Sequence, residues 1–460
     1  MKILLISSFF PPLHTSGTEK RTLGYALCLQ GLGHKVQVAC AGKWEEGQAY
    51  WNGYVDEKYL GIPIRRVNLN WRLAADPNRF LYDNSTVEEY FGQWLSEWQP
   101  DIIHITSCLT LSASIIQAVK SQQLPVVLTL TDYWFICPKL SLVRSDGILC
   151  DGRTTNWDCL QCMLWNTKIY RGLSATLPEK STAAILEWVS KRASINRLPG
   201  LRGMALDMAH RKSFLTSMIN LVDCVTAPSS CLRDIMKASG ITNQIKIVHS
   251  GHHLAWLETM PKKTLAEKIR IGYIGQIIPV KGVHILLSAF LSISISGQAQ
   301  LSIYGDINKA PNYVEGLKSL AKGHDQSIKF CEAFPHEQLG EILAEIDILV
   351  VPSSWHENNP RVIQEAFASK TPVIASNVGG ITEFVKHEVN GLVFERNDVD
   401  DLARQLQRIL TETGLLERLS TAIEPVKTIE EEVMELQAIY TDLIAADRIA
   451  TAPEGDSLHD

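Results

Sequence analysis

The chain has 460 residues, 45% of them apolar, which allows two or three domains with sizeable cores and excludes collagen-like, disordered and disulfide-scaffold proteins. Its 44 basic and 50 acidic residues give a formal net charge of −6, so no overall field is built to hold nucleic acid, and no nucleic-acid partner is expected. Six of the 10 cysteines (Cys28, Cys40, Cys108, Cys224, Cys231, Cys331) are scattered through apolar segments like small core residues, a usage that fits a reducing cytoplasm.

The opening MKILLISSFFPP carries one Lys and a short apolar run, but Pro11 and Pro12 follow without a small-residue cleavage pattern, so a buried strand over 2–8 is predicted rather than a secretory signal. No run reaches the roughly 18 apolar residues that span a bilayer. Further strands are predicted at 36–41, 102–106, 126–131 and 224–227, separated by helical patterns. Residues 137–217 break this alternation and look like an insertion. Within it, 168–212 holds nine Lys or Arg against three Asp or Glu, either a solvated helical face or a patch that meets phosphates or an anionic membrane surface. The second half alternates more cleanly: strands at 269–274, 301–304, 328–331, 348–351 and 373–375, with helices from Val283, Tyr313, His336 and Pro360 and over 398–410. Such alternation is the pattern of parallel sheets with crossover helices, so the expected fold is α/β with two doubly wound, Rossmann-like domains. The expected boundaries are 1–250 and 251–428, then a helix over 429–445 packing back on the first domain, then a disordered tail over 446–460.

Ligands of open parallel sheets sit beyond the carboxyl ends of the strands, which directs attention to the segment after 348–351, PSSWHENNPRVIQEAFASK. With Asn359 as N-cap and Pro360 as the first helical residue, the amides of 358–361 would face an anion such as phosphate. Glu357 and Glu365 bracket that seat. A carboxylate accepts paired hydrogen bonds from vicinal hydroxyls, as on a ribose or hexose, although two such Glu can also be plain helix-surface charges. After strand 269–274, Gly275 lets backbone approach a ligand, and Lys281 can set a point charge on a diphosphate.

Three segments together, GYIGQIIPVKG, the Glu357-x7-Glu365 block and GGITEFVKHEVNGLVF, resemble the donor half of the retaining, nucleotide-sugar-dependent glycosyltransferases of family 4. The early segment PPLHTSGTEKRTLGYALCLQGLGHKVQV is similar to the same family's first glycine loop and following helix. The resemblance covers about 1–135 and 220–444. It implies the GT-B fold, two Rossmann-like domains facing each other across a cleft, with a nucleotide diphosphate sugar as donor, a glycan or lipid-linked acceptor, and no catalytic metal. By the same resemblance, Glu365 holds the donor ribose, Glu357 with the amides of Asn358 and Asn359 holds the transferred sugar, Lys281 neutralises the diphosphate, and Gly17 sits by the reacting centre.

Three departures from the family stand out. Gln276 replaces the Arg of the Gly-Arg pair beside Gly275, removing a charge-assisted contact that contributes about 2 kcal/mol to leaving-group stabilisation. Thr131 and Asp132 stand where the family has a His that contacts the sugar, which makes Asp132 the candidate substitute. Ser250-Gly251 replaces the usual Asn-Gly at the domain junction. His104 on strand 102–106 is either a cleft-lining group or a satisfied core residue. Tyr133, Trp134, Trp157 and Trp165 can stack on an acceptor sugar or be ordinary buried aromatics.

The other four cysteines read Cys137-x12-Cys150-x8-Cys159-x2-Cys162. The knuckle spacing and the absence of a surplus thiol predict a closed structural zinc site, with disulfides, a redox pair or iron-sulfur ligation as alternatives. The leading expectation is a cytoplasmic glycosyltransferase, with peripheral membrane contact through 168–212 left open. The alternatives are a weakly active or inactive partner subunit that binds nucleotide sugar, and a nucleotide-sugar epimerase. A dinucleotide oxidoreductase is disfavoured because no Gly-x-Gly-x-x-Gly follows either first strand.

Overall fold

A computed structural model describes residues 1–165, scattered positions within 166–203, and 204–451 apart from 265 and 294–296. The chain divides into two compact units. The first comprises Met1–Pro228, Leu232–His249 and the segment from Ile429; the second comprises Ser229–Cys231 and Ser250–Thr428.

The first unit is built on β1 (Lys2–Ile6), β2 (Lys35–Ala41), β3 (Trp51–Tyr59), β4 (Ile62–Leu69), β5 (Ile102–Ile105), β6 (Val126–Thr129), β7 (Cys224–Ala227) and β8 (Ile245–Ile247). They lie in the order β3-β4-β2-β1-β5-β6-β7-β8. Strands β1, β5, β6 and β7 are almost wholly buried, as near-continuous runs such as KILLI and VVLT require when helices cover both faces. One pairing departs from the parallel expectation: β3 runs antiparallel to β4, a hairpin closed by Leu60 and Gly61, both with positive φ. The hairpin escapes sequence patterning because β3, WNGYVDEKY, is mostly exposed and carries no apolar alternation.

The C-terminal helix Ile429–Thr451 belongs to this first unit and continues past 445, where a disordered tail was expected to begin. Its apolar residues Ile429, Val433, Leu436 and Tyr440 join the core formed by Ile3, Leu5, Tyr25 and Val38. Glu432 on the same helix is fully buried and takes hydrogen bonds from the Arg21 guanidinium and, at 2.6 Å, from the Tyr25 hydroxyl. His104 is also fully buried, bonded to the Tyr440 hydroxyl at 2.5 Å and to Thr129 at 2.7 Å, so it is a core histidine. Burial, reinforced by the Arg21 charge, lowers its pKa to about 3.

The second unit holds β9 (Ile269–Ile274), β10 (Ala299–Tyr304), β11 (Ile328–Cys331), β12 (Ile348–Val351), β13 (Val373–Ser376) and β14 (Gly391–Phe394), all parallel, in the order β11-β10-β9-β12-β13-β14. The chain winds outward from β9 first to one side and then to the other, so β9 and β12 flank the topological switch point. Helix Val283–Ser292 buries Val283, Ile285, Leu286, Leu287, Ala289 and Phe290 against the sheet, and helix Val399–Thr411 adds Leu402, Leu406 and Ile409 to the same core. Among the described residues no helix is long and apolar enough to cross a membrane. Most of the basic segment 168–212 lies outside the described residues.

Candidate functional site

The loops that follow β9 and β12 meet at the switch point of the second unit. Ser354 N–H donates to the Val280 carbonyl at 2.8 Å, tying the two together. Gly282, φ +72, makes this approach possible: a Cβ there would lie 1.9 Å from the Pro352 carbonyl oxygen. Lys281 thereby reaches Glu357, Nζ to Oε1 2.5 Å. The same Oε1 accepts from Ser353 Oγ at 2.8 Å and Trp355 Nε1 at 2.7 Å, and the Lys281 ammonium lies 5.0 Å from the Trp355 ring centroid.

Two glycines seat the backbone of Glu357 and Asn358. Gly380 N–H donates to the Glu357 carbonyl at 2.6 Å, and a Cβ on Gly380 would meet Asn358 O at 2.5 Å. Gly379, φ +59, touches Glu357 so closely that a Cβ would fall 2.7 Å from its carbonyl oxygen.

The following helix runs Arg361–Ala368 with Pro360 as its N-cap. The expected cap was Asn359 with Pro360 inside the helix; the observed start is one residue later, because Pro360 adopts extended backbone at ψ 105°. No side chain caps this end, and the buried Asn359 Oδ1 has no hydrogen-bond partner among the described residues, so polar capacity is left open beside the helix start. Glu365 is buried with Ile363, Ala366 and Phe367 on the helix's inner face. Its carboxylate stands 3.3 Å from His336 Nε2 and 3.6 Å from Arg361 Nη2. Burial alone would raise its pKa; the His336 hydrogen bond and the Arg361, His336 and His252 charges outweigh it and hold the pKa below the usual value.

The structure thus joins Lys281 to Glu357 and sets Glu365 beyond the same helix start, with Gly275 and the exposed Gln276 in the loop after β9. Tyr273 donates to the Gln276 carbonyl at 2.7 Å, which leaves the Gln276 side chain uncommitted by that contact. Sequence reasoning missed Ser353, Trp355 and His336 as partners of the two carboxylates. Arg361, four residues before Glu365, was readable from helical spacing. His336 was not, since it comes from a 3-10 turn, His336–Gln338, where a helix start was expected.

In the first unit, Gly17 is the exposed first residue of helix Gly17–Gly31, behind the N-cap Ser16. Asp132 follows β6 and accepts from Trp134 N–H at 2.8 Å; burial pushes its carboxyl up to about 6, against the lowering effects of that bond and of Arg211. Tyr133 and Trp134 are buried, while Trp157 packs beside Leu160, Leu164 and Tyr170.

The expected zinc centre requires correction. Cys137, Cys150, Cys159 and Cys162 do line one cavity, with Leu142, Val143 and Met163. They are free thiols, however, and among the described residues no group of three or more His, Cys, Asp or Glu is placed to hold a metal ion. The thiols are engaged locally instead: Cys159 Sγ is 3.2 Å from Thr154 Oγ1 and Cys162 Sγ 3.9 Å from Ser145 Oγ.

Comparison with known proteins bears on the family and the fold. Residues 258–424 match the family model of the glycosyl transferases group 1, and residues 16–159 match the glycosyl transferase 4-like domain. A putative glycosyltransferase of Bacillus subtilis, YtcC, is 29% identical over 193 residues, 40% of this chain and 47% of that protein. The chain spans about half the length of the first such curated relatives. Among solved structures, a glycosyltransferase of Rickettsia africae superposes with a TM-score of 0.63 at 15% identity, covering 96% of this chain and 98% of that one. Anabaena Alr3699/HepE, in complex with UDP and glucose, gives 0.62 at 15% identity, covering 96% and 99%. At such identity the likeness establishes the fold, two parallel-sheet α/β domains of the GT-B type.

Proposed function

We propose that this chain, a group 1 glycosyltransferase of the GT-B fold with a glycosyl transferase 4-like N-terminal domain, moves a hexose with retention from a nucleotide diphosphate sugar to a glycan or lipid-linked acceptor. The observation that carries the reading is the switch-point constellation of the second unit: two buried carboxylates, Glu357 and Glu365, on either side of an uncapped helix start, with Lys281 in contact with the first. A helix N-terminus and a lysine suit a diphosphate, and carboxylates suit sugar hydroxyls, so the set matches a phosphorylated polyol.

In this reading Glu365 takes the ribose hydroxyls, Glu357 with the amides of Asn358 and Asn359 takes the transferred sugar, and Lys281 meets the diphosphate beside Gly275 and Gln276. Gly17 and Asp132, both in the first unit, keep only the roles that the family resemblance implies. The chemistry asked of these residues is to stabilise charge on a departing nucleoside diphosphate while an oxocarbenium-like sugar is attacked. The acceptor hydroxyl attacks from the face the phosphate leaves, and that phosphate helps to take its proton. UDP-glucose is the first donor to test, because the structurally similar HepE holds UDP and glucose.

A second reading, a nucleotide-sugar-binding subunit with little turnover, is favoured by Gln276, which offers no charge where a second cation would assist the leaving group. Incubation with a panel of nucleotide sugars and candidate acceptors separates them. Release of nucleoside diphosphate that requires acceptor supports transfer; binding without release supports the subunit; binding of none of the donors overturns both.

A further inference from the structure

The first unit holds a second charged cavity that the donor site does not use. It is a partly open pocket between the loop that follows Asp132 and the helix Met204–Asn220. Its polar lining comes from Arg211, Lys212, Thr154, Asn156, Thr216 and Ser239.

Arg211 is the unusual member. It is 7% exposed, and its guanidinium donates to the Trp134 carbonyl and packs 5.6 Å from the Trp134 ring centroid and 6.0 Å from that of Tyr82. Among the described residues no carboxylate stands within ion-pair distance of it, and no second acceptor takes its remaining N–H groups. The two nearby acids are engaged elsewhere: Asp132 accepts from Trp134 N–H, and Asp207 accepts from the Tyr82 hydroxyl at 2.6 Å. A buried guanidinium with five donors and one described acceptor is costly unless something negative completes it. Burial accordingly lowers its pKa to about 10. Lys212 at the rim, its ammonium 3.2 Å from the Thr154 carbonyl, adds a second positive charge.

We propose that this cavity is an oxyanion site in which Arg211, assisted by Lys212 and the hydroxyls of Thr154, Thr216 and Ser239, binds a phosphate or carboxylate group carried by the acceptor. The cavity's Phe135, Ile136 and Pro138 belong to the same loop as Asp132, so an acidic group held there places the rest of its molecule beside the carboxyl end of β6. The assignment of the ligand as acceptor rests on the glycosyl-transfer reading; the binding of an oxyanion does not.

The test is calorimetric titration of the full chain, without donor, with inorganic phosphate, D-glucuronate and D-glucose. A Lys281→Ala background removes the donor-side cation that phosphate also favours. Phosphate or glucuronate, but not glucose, is expected to bind; phosphate alone points to a phosphorylated acceptor and glucuronate alone to an acidic glycan. Arg211→Gln is expected to weaken the bound anion about tenfold or more, since a charge-assisted contact is lost. Lys212→Glu alters only an exposed side chain and is expected to weaken it severalfold, which keeps the test decisive if Arg211→Gln does not fold. No binding of either anion, or equal binding by the Lys212→Glu chain and any folded Arg211→Gln chain, overturns the proposal. Anion binding without acceptor-dependent nucleotide release would leave this site standing and remove the transferase reading.

Discussion

Glu365→Gln is the sharpest probe of the proposed donor site. The residue is 9% exposed, and its carboxylate is held below its usual pKa by the hydrogen bond to His336 and the Arg361 charge and is therefore ionised near neutral pH. Glutamine keeps one acceptor oxygen toward His336 and Arg361, both partly exposed, so the fold should lose at most about 1 kcal/mol. A ribose hydroxyl donating to an ionised carboxylate contributes about 1.5–3 kcal/mol net. Losing about 2 kcal/mol of that corresponds to roughly a 30-fold rise in the dissociation constant of a nucleoside diphosphate. The assay is calorimetric titration with the nucleoside diphosphate that best raises the melting temperature, alongside its 2′,3′-dideoxy form. The native chain should prefer the ribose form by about the same factor, and the variant should lose that preference. Binding by the variant within threefold of native, or an undiminished penalty for the dideoxy form, would refute the assignment of Glu365 to the ribose.

Three further perturbations follow from the geometry. Gly380→Ala puts a Cβ 2.5 Å from Asn358 O and 3.1 Å from Glu357 O, both backbone atoms, so it should cost about 1–3 kcal/mol and displace the Glu357 loop; donor affinity should fall at least tenfold with circular dichroism unchanged, and native affinity would count against the role of this glycine. Asp132, whose carboxyl moves from 3.8 up to about 6 on burial, gives stability that is complete below pH 3.8 and lost as pH rises through 6. Asp132→Asn keeps the oxygen that accepts from Trp134 and should raise stability at pH 8 by at most about 3 kcal/mol, with little gain at pH 4, while lowering turnover; urea melts at the two pH values check the sign, and equal gains at both would reject it. Glu432→Ala strips the largely buried Arg21 of its partner and should destabilise the first unit by about 3–5 kcal/mol in denaturant melts, whereas a loss under 1 kcal/mol would mean the C-terminal helix is held by its apolar face alone.

The strands were legible where burial is two-sided. Runs such as IRIGYI, ILVV and VIAS can only be central parallel strands, and β9, β11, β12 and β7 begin and end where the residue pattern places them. The β3–β4 hairpin was not, because an edge strand packs on few neighbours and so carries little apolar pattern. At the candidate site, the placement of Glu357, Glu365 and Lys281 was legible because each follows a buried strand at a helix or turn start. His336 and Trp355 were hidden, since their value depends on where a 3-10 turn and a short loop fold back. The cysteines show the reverse error: four residues with metal-like spacing line a single cavity, yet among the described residues they are not placed to hold a metal ion, because spacing alone does not fix the tetrahedral approach that a metal demands.

Glu357 illustrates how the surroundings of a carboxylate restrict its chemistry. Three donors, Lys281, Ser353 and Trp355, converge on Oε1, while no described donor reaches Oε2. Such a group is held in one orientation, with Oε2 left to offer a hydroxyl, and that orientation fits an acceptor of hydrogen bonds better than a mobile nucleophile. Under the proposed function Lys281 is shared: a diphosphate arriving at the helix start would compete with Glu357 for its ammonium, and the more highly charged ion would win more of it. In the proposed function, the charge that binds Lys281 to Glu357 is the same charge that a departing nucleoside diphosphate would draw on, which would couple stabilisation of the leaving group to release of Glu357 toward the sugar.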